Sequence, residues 1–213
     1  MARMICVMGE SGSGKTTAMR TLDPGTTYYI DVDGKGLVWK GWKNQYGAGK
    51  KNYTRSRDIP VISALIHNVA EKAPSIKTVV IDTLNTAMVD KEVRGMSEKG
   101  FDKWVDLAQY VWSMITDAAT LRDDLTVIVV MHSETVRDEM GNVWTHVRTN
   151  GRKLEKLVLE SLFNVVLLAK RSDAGEYVFE TVSNHSTAKA PMGALAQEEP
   201  NDMGLILKKL EEY

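Results

Sequence analysis

The stretch GESGSGKT at residues 9–16 decides the fold, because it fits G-x-x-x-x-G-K-[ST] with Gly9, Gly14, Lys15 and Thr16 at the fixed positions. Its glycines are expected to take backbone angles closed to other residues, so that successive N–H groups turn inward around a phosphate. Lys15, expected to be solvent-facing without a ligand, should reach the β- and γ-phosphates, and the Thr16 hydroxyl should ligate Mg²⁺. The predicted nucleotide contacts are Gly9, Glu10, Ser11, Gly12, Ser13, Gly14, Lys15, Thr16 and Thr17.

The motif requires a strand before it and a helix after it. The apolar run MICVM (4–8) suits the strand, and TTAMRTL (16–22) suits a helix that stops at Asp23-Pro24-Gly25. Elsewhere, strands are predicted at 26–32, 76–82, 125–131, 164–170 and 177–182, and helices at 61–72, 102–121, 152–163 and about 203–211.

Alternation of strands and helices predicts an α/β fold with a mainly parallel central sheet flanked by helices. The turn RSDAGE (171–176) before YVFETV predicts a C-terminal antiparallel hairpin. We expect one domain over 1–213, with a C-terminal tail from about 186. Ligands of such sheets bind beyond the carboxyl ends of the strands.

The composition is that of an ordinary globular protein, with 43% hydrophobic and 26% charged residues. A net charge of −1 means that any nucleic-acid surface must be local. No apolar run approaches the roughly 20 residues of a membrane span, and MARMICVMG (1–9) is too short for a signal peptide. The one cysteine, Cys6, fits a reducing cytoplasm.

Two strands end in carboxylates. Asp82 closes TVVID (78–82), the pattern in which an aspartate holds the Mg²⁺ shell. Asp31 and Asp33 lie at the end of the strand predicted at 26–32, and only one is expected to face the phosphates. Asp33, nearest the strand's end, is the candidate for orienting an attacking water, with turn capping as the alternative.

A histidine and a polar segment follow the strand at 125–131. His132 is placed to contact the γ-phosphate, or else is a histidine satisfied at a strand end. Residues 133–151 form a long polar loop or a small hairpin, and loops of this length are usually functional or mobile. Its candidate DNA contacts are Arg137, Trp144 and Arg148, with Arg152 just beyond it.

A second basic segment covers 35–57, which contains seven Lys/Arg and no Asp/Glu. Cations interleaved with aromatic rings suit single-stranded nucleic acid. A solvated loop whose aromatic residues pack on the core is an equally open interpretation. The candidate cations are Lys40, Lys43, Lys50 and Lys51, and the rings are Trp39, Trp42, Tyr46 and Tyr53.

Together these residues resemble the RecA-core ATPases of the phage type, one branch of which acts as single-strand annealing recombinases. GESGSGKT resembles their phosphate loop, YYIDVDG (28–34) their strand with the catalytic acid, and TVVIDTLN (78–85) their Walker B strand. Asp33 stands where glutamate is usual and His132 where RecA has its sensor glutamine, so slow hydrolysis is expected. The segment after His132 resembles the second DNA-binding loop.

The resemblance implies ATP and Mg²⁺ as cofactors, single-stranded DNA as a ligand, and a possible single-strand-binding protein as partner. Lys189, in the basic segment after YVFETV, would reach a neighbour's nucleotide in a homo-oligomer. The chain starts at the first core strand, so assembly is expected to use a surface other than an N-terminal arm. The implied location is the cytoplasm of a phage-infected or prophage-bearing bacterium, with no membrane association.

Two other functions share the loop at 9–16. A small-molecule kinase acting on a nucleoside or nucleotide needs an arginine-bearing lid, for which 88–100 is the nearest candidate. A nucleotide-gated adaptor would use ATP only to switch a protein-binding loop.

Overall fold

The computed structural model describes residues 1–95, 102–150 and 157–213. Its strands are β1 (Arg3–Gly9), β2 (Thr27–Asp31), β3 (Tyr53–Arg55), β4 (Thr78–Asp82), β5 (Thr126–Arg137), β6 (Val143–Val147), β7 (Val165–Arg171), β8 (Tyr177–Glu180) and β9 (Glu198–Pro200). Its α-helices are α1 (Lys15–Ala18), α2 (Trp42–Gln45), α3 (Ile59–Lys72), α4 (Leu84–Arg94), α5 (Asp102–Ala119) and α6 (Met203–Glu211).

In the described residues the strands form one sheet in the order β3-β2-β4-β5-β1-β7-β8-β9, with β6 paired to β5. Neighbouring strands from β3 to β7 run parallel. The pairs β7–β8 and β8–β9 are antiparallel. The predicted α/β fold with a C-terminal antiparallel hairpin is therefore confirmed.

The sheet has a hydrophobic core on each face, as expected for parallel strands covered by helices on both sides. Successive residues of β1 alternate between the two cores: Met4, Cys6 and Met8 belong to one, and Ile5 and Val7 to the other. The first core packs against α3, α4 and α5, and the second against α1, α6 and the segment after β2. This double burial fixes the carboxyl ends of the central strands along one edge.

Two predicted elements differ from the structure. The helix predicted at 152–163 falls partly outside the described residues, and its described part holds only a short 3₁₀ turn at Leu159–Leu162. The strand predicted at 125–131 continues to Arg137 and turns back as β6, so the segment after His132 is a hairpin. Alternating polar residues do not distinguish an exposed hairpin from a loop, which is why the sequence left both open.

Among the described helices, none is both long and apolar enough to cross a bilayer.

Candidate active site

The glycine-rich loop runs from the end of β1 into α1. Gly12 and Gly14 have φ values of 81° and 93°, so the expectation of glycine-only angles is confirmed for these two. Gly9 differs, because its φ lies outside the left-handed region. Glycine is required at this position because a side chain would not fit. A Cβ at Gly9 would lie 2.5 Å from the Ala169 backbone oxygen of β7 and 2.5 Å from Ser13 Oγ. The expectation of a special angle at Gly9 is therefore wrong.

Lys15 lies inside the loop. Its Nζ donates to the backbone oxygens of Gly9, at 2.8 Å, and of Glu10, at 2.7 Å, and the residue is only 6% exposed. The expectation of a solvent-facing lysine is wrong, because the loop's own carbonyls satisfy the ammonium group. Burial lowers the pKa of Lys15 to about 8, although the nearby Asp82 carboxylate acts in the other direction. A bound phosphate must therefore replace these carbonyls as the hydrogen-bond acceptor of the Lys15 ammonium group.

Asp82 is buried at the end of β4, and three hydroxyls surround it. Tyr29 donates to its Oδ2 at 2.5 Å, and Thr83 to its Oδ1 at 2.9 Å. The Thr16 hydroxyl lies close enough to this carboxylate to affect its pKa. Burial raises the pKa of Asp82, while these three hydroxyls act to lower it. Thr16 and Asp82, the two predicted metal ligands, are thus neighbours.

Asp31 and Asp33 both line the same cavity, so the expectation that only one would face it is wrong. The surroundings of the two carboxylates differ. The Asp31 carboxylate accepts hydrogen bonds from Gly34 N at 2.8 Å, Gly36 N at 2.9 Å and the Tyr53 hydroxyl. Its side chain is only 3% exposed. Asp31 therefore holds the turn after β2 and has little capacity left for a ligand.

Asp33 is more accessible, with 23% of its side chain exposed. It accepts a hydrogen bond from the Thr86 hydroxyl and forms an ion pair with Lys35 at 3.0 Å. Partial burial acts to raise the pKa of Asp33, but the bonds from Thr86 and Lys35 prevail and lower it. An ionised, partly exposed carboxylate can orient water, which is the role predicted for Asp33.

His132 lies where the parallel part of β5 ends, opposite Gly9 of β1. Its backbone N–H donates to Asn85 Oδ1 at 2.7 Å, and its backbone oxygen accepts from Arg148 N at 2.8 Å. Burial, and secondarily the positive charge of Lys15, lower the pKa of His132. Its imidazole is therefore neutral near pH 7 and can donate or accept a hydrogen bond.

These side chains meet at one cavity of about 500 Å³ at the carboxyl edge of the sheet. Its size lies within the range of small-ligand sites. The predicted residues that line it are Ser11, Gly12, Gly14, Lys15, Thr16, Thr17, Asp33, Asp82 and His132. The backbone oxygens of Gly9 and Glu10 accept hydrogen bonds from Lys15. Ser13 lines a second cavity.

Several residues at this site were missed from the sequence, among them Tyr29, Thr83, Asn85 and Thr86. Asn85 and Thr86 lie in the first turn of α4, three and four positions after Asp82, so polar residues soon after a buried strand that ends in aspartate were the available signal. Tyr29 gave no such signal, because an aromatic residue in a strand ordinarily indicates core packing.

The basic segment after β2 packs its rings against the core. Tyr46 is 1% exposed, and its ring centroid lies 5.5 Å from that of Tyr29 and 6.1 Å from that of Trp39. Trp42 packs against Tyr53 at 5.6 Å. The aromatic residues therefore serve packing, which favours the scaffold interpretation over base stacking.

The cations of that segment are exposed but spread out. Lys50 and Lys51 line a separate cavity with Pro24 and Gly25, which precede β2, and with Ala73, Ser75 and Ile76, which precede β4. They therefore lie at the amino edge of the sheet, opposite the cavity at its carboxyl edge. Lys40 and Lys43 are also exposed, with Lys43 Nζ 5.9 Å from the ring centroid of Trp42.

Two predicted cations lie on different elements. Arg148 follows β6 and bonds through its backbone to His132 and Asn85. Lys189 is exposed, and its backbone pairs with Val166 of β7, outside the residues that line the cavity at the carboxyl edge. Its predicted contact with a neighbour's nucleotide stays a prediction. Arg152 and residues 96–100 of the candidate kinase lid lie outside the described residues.

Comparison with known families gives a match over most of the chain. The model of a family described as an AAA domain, AAA_24, matches residues 1–190, which include β1 to β8 and the residues found to line the cavity of about 500 Å³. No curated protein matches the chain.

Proposed function

Because the chain belongs to the AAA domain family, whose members are nucleotide-binding ATPases, we propose that it hydrolyses Mg²⁺-ATP in the cavity at the carboxyl edge of its sheet. The observation that carries this proposal is the convergence of Lys15, Asp82, Asp33 and His132 on that cavity. Each has the chemistry that one part of phosphoryl transfer requires.

The chain's oxygens suit Mg²⁺. The Thr16 hydroxyl lies near the Asp82 carboxylate, and protein sites for Mg²⁺ usually supply one or two such oxygens, with phosphates and water completing the octahedron. Within the described residues there is no group of three or more His, Cys, Asp or Glu side chains that could hold a metal without phosphates. Bound Mg²⁺ would neutralise charge that develops on the transferred phosphoryl group.

The remaining residues divide the chemistry among them. Lys15 exchanges the carbonyls of Gly9 and Glu10 for phosphate oxygens and stabilises negative charge in the transition state. Asp33, held by Thr86, aligns the attacking water and accepts its proton. Neutral His132 contacts the γ-phosphate and transmits its loss to the strand that it belongs to.

We further propose that ATP turnover serves the binding of single-stranded DNA and its annealing or recombination, as the resemblance to phage-type RecA-core proteins suggests. The support is the hairpin of β5 and β6, which begins one residue after His132 and whose base is bonded to Asn85. A homo-oligomer, with Lys189 beside a neighbour's nucleotide, and a single-strand-binding protein as partner belong to the same proposal.

The experiment is ATP hydrolysis with Mg²⁺, measured with and without single-stranded DNA and with and without nucleosides. Hydrolysis that DNA stimulates is the expected result. Phosphoryl transfer to a nucleoside would identify a kinase instead, and tight ATP binding without turnover would identify a nucleotide-gated adaptor.

A further inference from the structure

The β5–β6 hairpin has two chemically different faces. Its register places Val136 opposite Trp144 and Arg137 opposite Val143. Residues directly opposite each other share a face, and successive residues alternate. Arg137 and Trp144, both predicted to contact DNA, therefore point to opposite faces, and one strand of DNA lying on one face cannot contact both.

The face that carries Arg137 is rich in hydroxyl groups. Ser133, Thr135 and Thr145 share it, and the hydroxyls of Thr135 and Thr145 are hydrogen-bonded at 2.9 Å. The other face combines the exposed apolar side chains of Val136 and Trp144 with Glu134 and His146. Hydroxyls and a guanidinium group match phosphate oxygens, whereas a carboxylate repels them.

A second cavity, of about 380 Å³, lies between this hydroxyl face and the glycine-rich loop. The end of β7 closes it at Leu168–Arg171. Ser13 and Ser133 line it, each only 8% exposed, and neither hydroxyl has a hydrogen-bond partner in the part of the chain that the structure describes. Because buried polar groups are normally satisfied, two such hydroxyls indicate a place for a polar ligand.

The charged residues that line this cavity, among the described residues, are Lys170, Arg171 and Glu10. Lys170 is neutralised by Glu180 at 2.6 Å and Glu198 at 2.9 Å. Arg171 is exposed and donates to the Gly175 backbone oxygen. Among the described residues, neither Arg171 nor Arg137 forms an ion pair with a carboxylate. The exposed Glu10, also at this cavity, is the opposing charge.

We propose that the phosphodiester backbone of single-stranded nucleic acid runs along the hydroxyl face of the hairpin and into this second cavity. Arg137 and Arg171 pair with its phosphates, the Ser133 and Ser13 hydroxyls donate to phosphate oxygens, and the Trp144 face lies outside its path. The inference rests on the proposed binding of single-stranded DNA and specifies which surface performs it.

This path also gives nucleic acid a direct route to the nucleotide. Ser11 and Gly12 line both cavities, so a bound strand touches the reverse side of the loop that holds the ATP phosphates. Ser133 follows His132, and the two side chains face the second and first cavity respectively. Nucleic acid that binds Ser133 therefore acts on His132 through the one peptide bond that joins the two residues.

The test is fluorescence anisotropy with a labelled oligothymidylate of about 20 nucleotides, longer than the span of one small binding domain, at several salt concentrations. Arg137→Ala and Arg171→Ala should each weaken binding several-fold and lower the salt slope by about 0.7 per lost contact. Ser133→Ala should weaken binding without changing the slope, since no charge is lost. Trp144→Ala, on the opposite face, and Lys72→Ala, an exposed cation on α3, should bind like the unaltered protein.

Sodium phosphate and sodium chloride at equal ionic strength should displace the oligonucleotide equally. Stronger displacement by phosphate would identify a site for free phosphate and overturn the inference. Binding that depends on Trp144 but not on Arg137 and Arg171 would also overturn it, while leaving the proposed function intact. An unaltered protein that binds no oligothymidylate would refute the proposed DNA function itself.

Discussion

The side chain of Asn85 ties the start of α4 to both sides of the hairpin base. Its Oδ1 accepts from the His132 N–H at 2.7 Å, and its Nδ2 donates to the Arg148 backbone oxygen at 2.7 Å. The residue is 5% exposed and lies three positions after Asp82. We therefore expect any shift at the end of β4, where Asp82 lies, to be passed to His132 and the hairpin through this amide, which would make Asn85 a positioning residue.

Asn85→Ala should uncouple the two sites. It leaves a buried N–H and a buried carbonyl unsatisfied, so we expect a loss of stability of about 1–3 kcal/mol. ATP affinity should be retained, while stimulation of kcat by single-stranded DNA should largely disappear, as measured by steady-state hydrolysis. Asn142→Ala, which alters only the exposed turn of the hairpin, is the control. Full stimulation in the Asn85→Ala protein would rule out the coupling role.

The pH dependence of ATP binding should report on Lys15. In the free protein its pKa is about 8, and bound phosphates must raise it because negative charge favours the ammonium form. Binding therefore takes up protons, and affinity should fall as the pH rises through about 8. Calorimetric titrations from about pH 7 to about pH 9 measure this, with Lys15→Arg as the control because a guanidinium stays charged. Affinity that does not fall in the unaltered protein would contradict the assignment.

Substitution of each of three aspartates by asparagine should affect a different property: nucleotide binding, hydrolysis or stability. Asp82→Asn should weaken Mg²⁺-dependent nucleotide binding, since it removes a charge from the metal's surroundings. Asp33→Asn should retain binding and slow hydrolysis, because its carboxylate acts on water. Asp31→Asn should lower the melting temperature, since its carboxylate holds the turn at Gly34 and Gly36. Binding, single-turnover hydrolysis and thermal melts on each variant give the comparison. Slowed turnover in a stable Asp31→Asn protein, with normal Asp33→Asn, would reverse the roles.

The Tyr29 hydroxyl should affect the pH below which the hydrolysis rate falls. Its hydrogen bond lowers the pKa of Asp82, against the raising effect of burial, so Tyr29→Phe should raise that pKa further. The ionised form that binds Mg²⁺ would then be lost at higher pH, and the acid limb of the pH–rate profile should move upward. Tyr46→Phe is the matched control, because it removes a buried hydroxyl that does not bond to Asp82. Superimposable profiles for Tyr29→Phe and the unaltered protein would show that the bond has no such effect.

The sequence predicted the fold and the placement of most of the site, because both follow from local patterns. Buried parallel strands read as continuous apolar runs, and Asp82 and His132 follow two of them directly. The burial of Lys15 was not predictable, since it depends on where two loop carbonyls point in three dimensions. The separation of Arg137 from Trp144 was not predictable either, since it depends on the register of β5 against β6.

The basic segment at 35–57 shows the limit of composition as evidence. Its rings and cations suggested a surface for bases and phosphates, yet Tyr46 lies in the core beside Tyr29, and Lys50 and Lys51 lie at the opposite edge of the sheet. Interleaving along the chain carries no information on which side chains face the same way. Only the path of the segment across the sheet decides that.

Mg²⁺-dependent ATP hydrolysis by Lys15→Ala, measured beside the unaltered protein, tests the central claim most directly. The substitution removes the cation that stabilises the transferred phosphoryl group, a contribution of several kcal/mol. It also relieves a buried charge, so the fold should survive, as a thermal melt of the same sample would show. The account predicts near-complete loss of turnover in a folded protein. Turnover at the unaltered rate in a folded Lys15→Ala protein would contradict it.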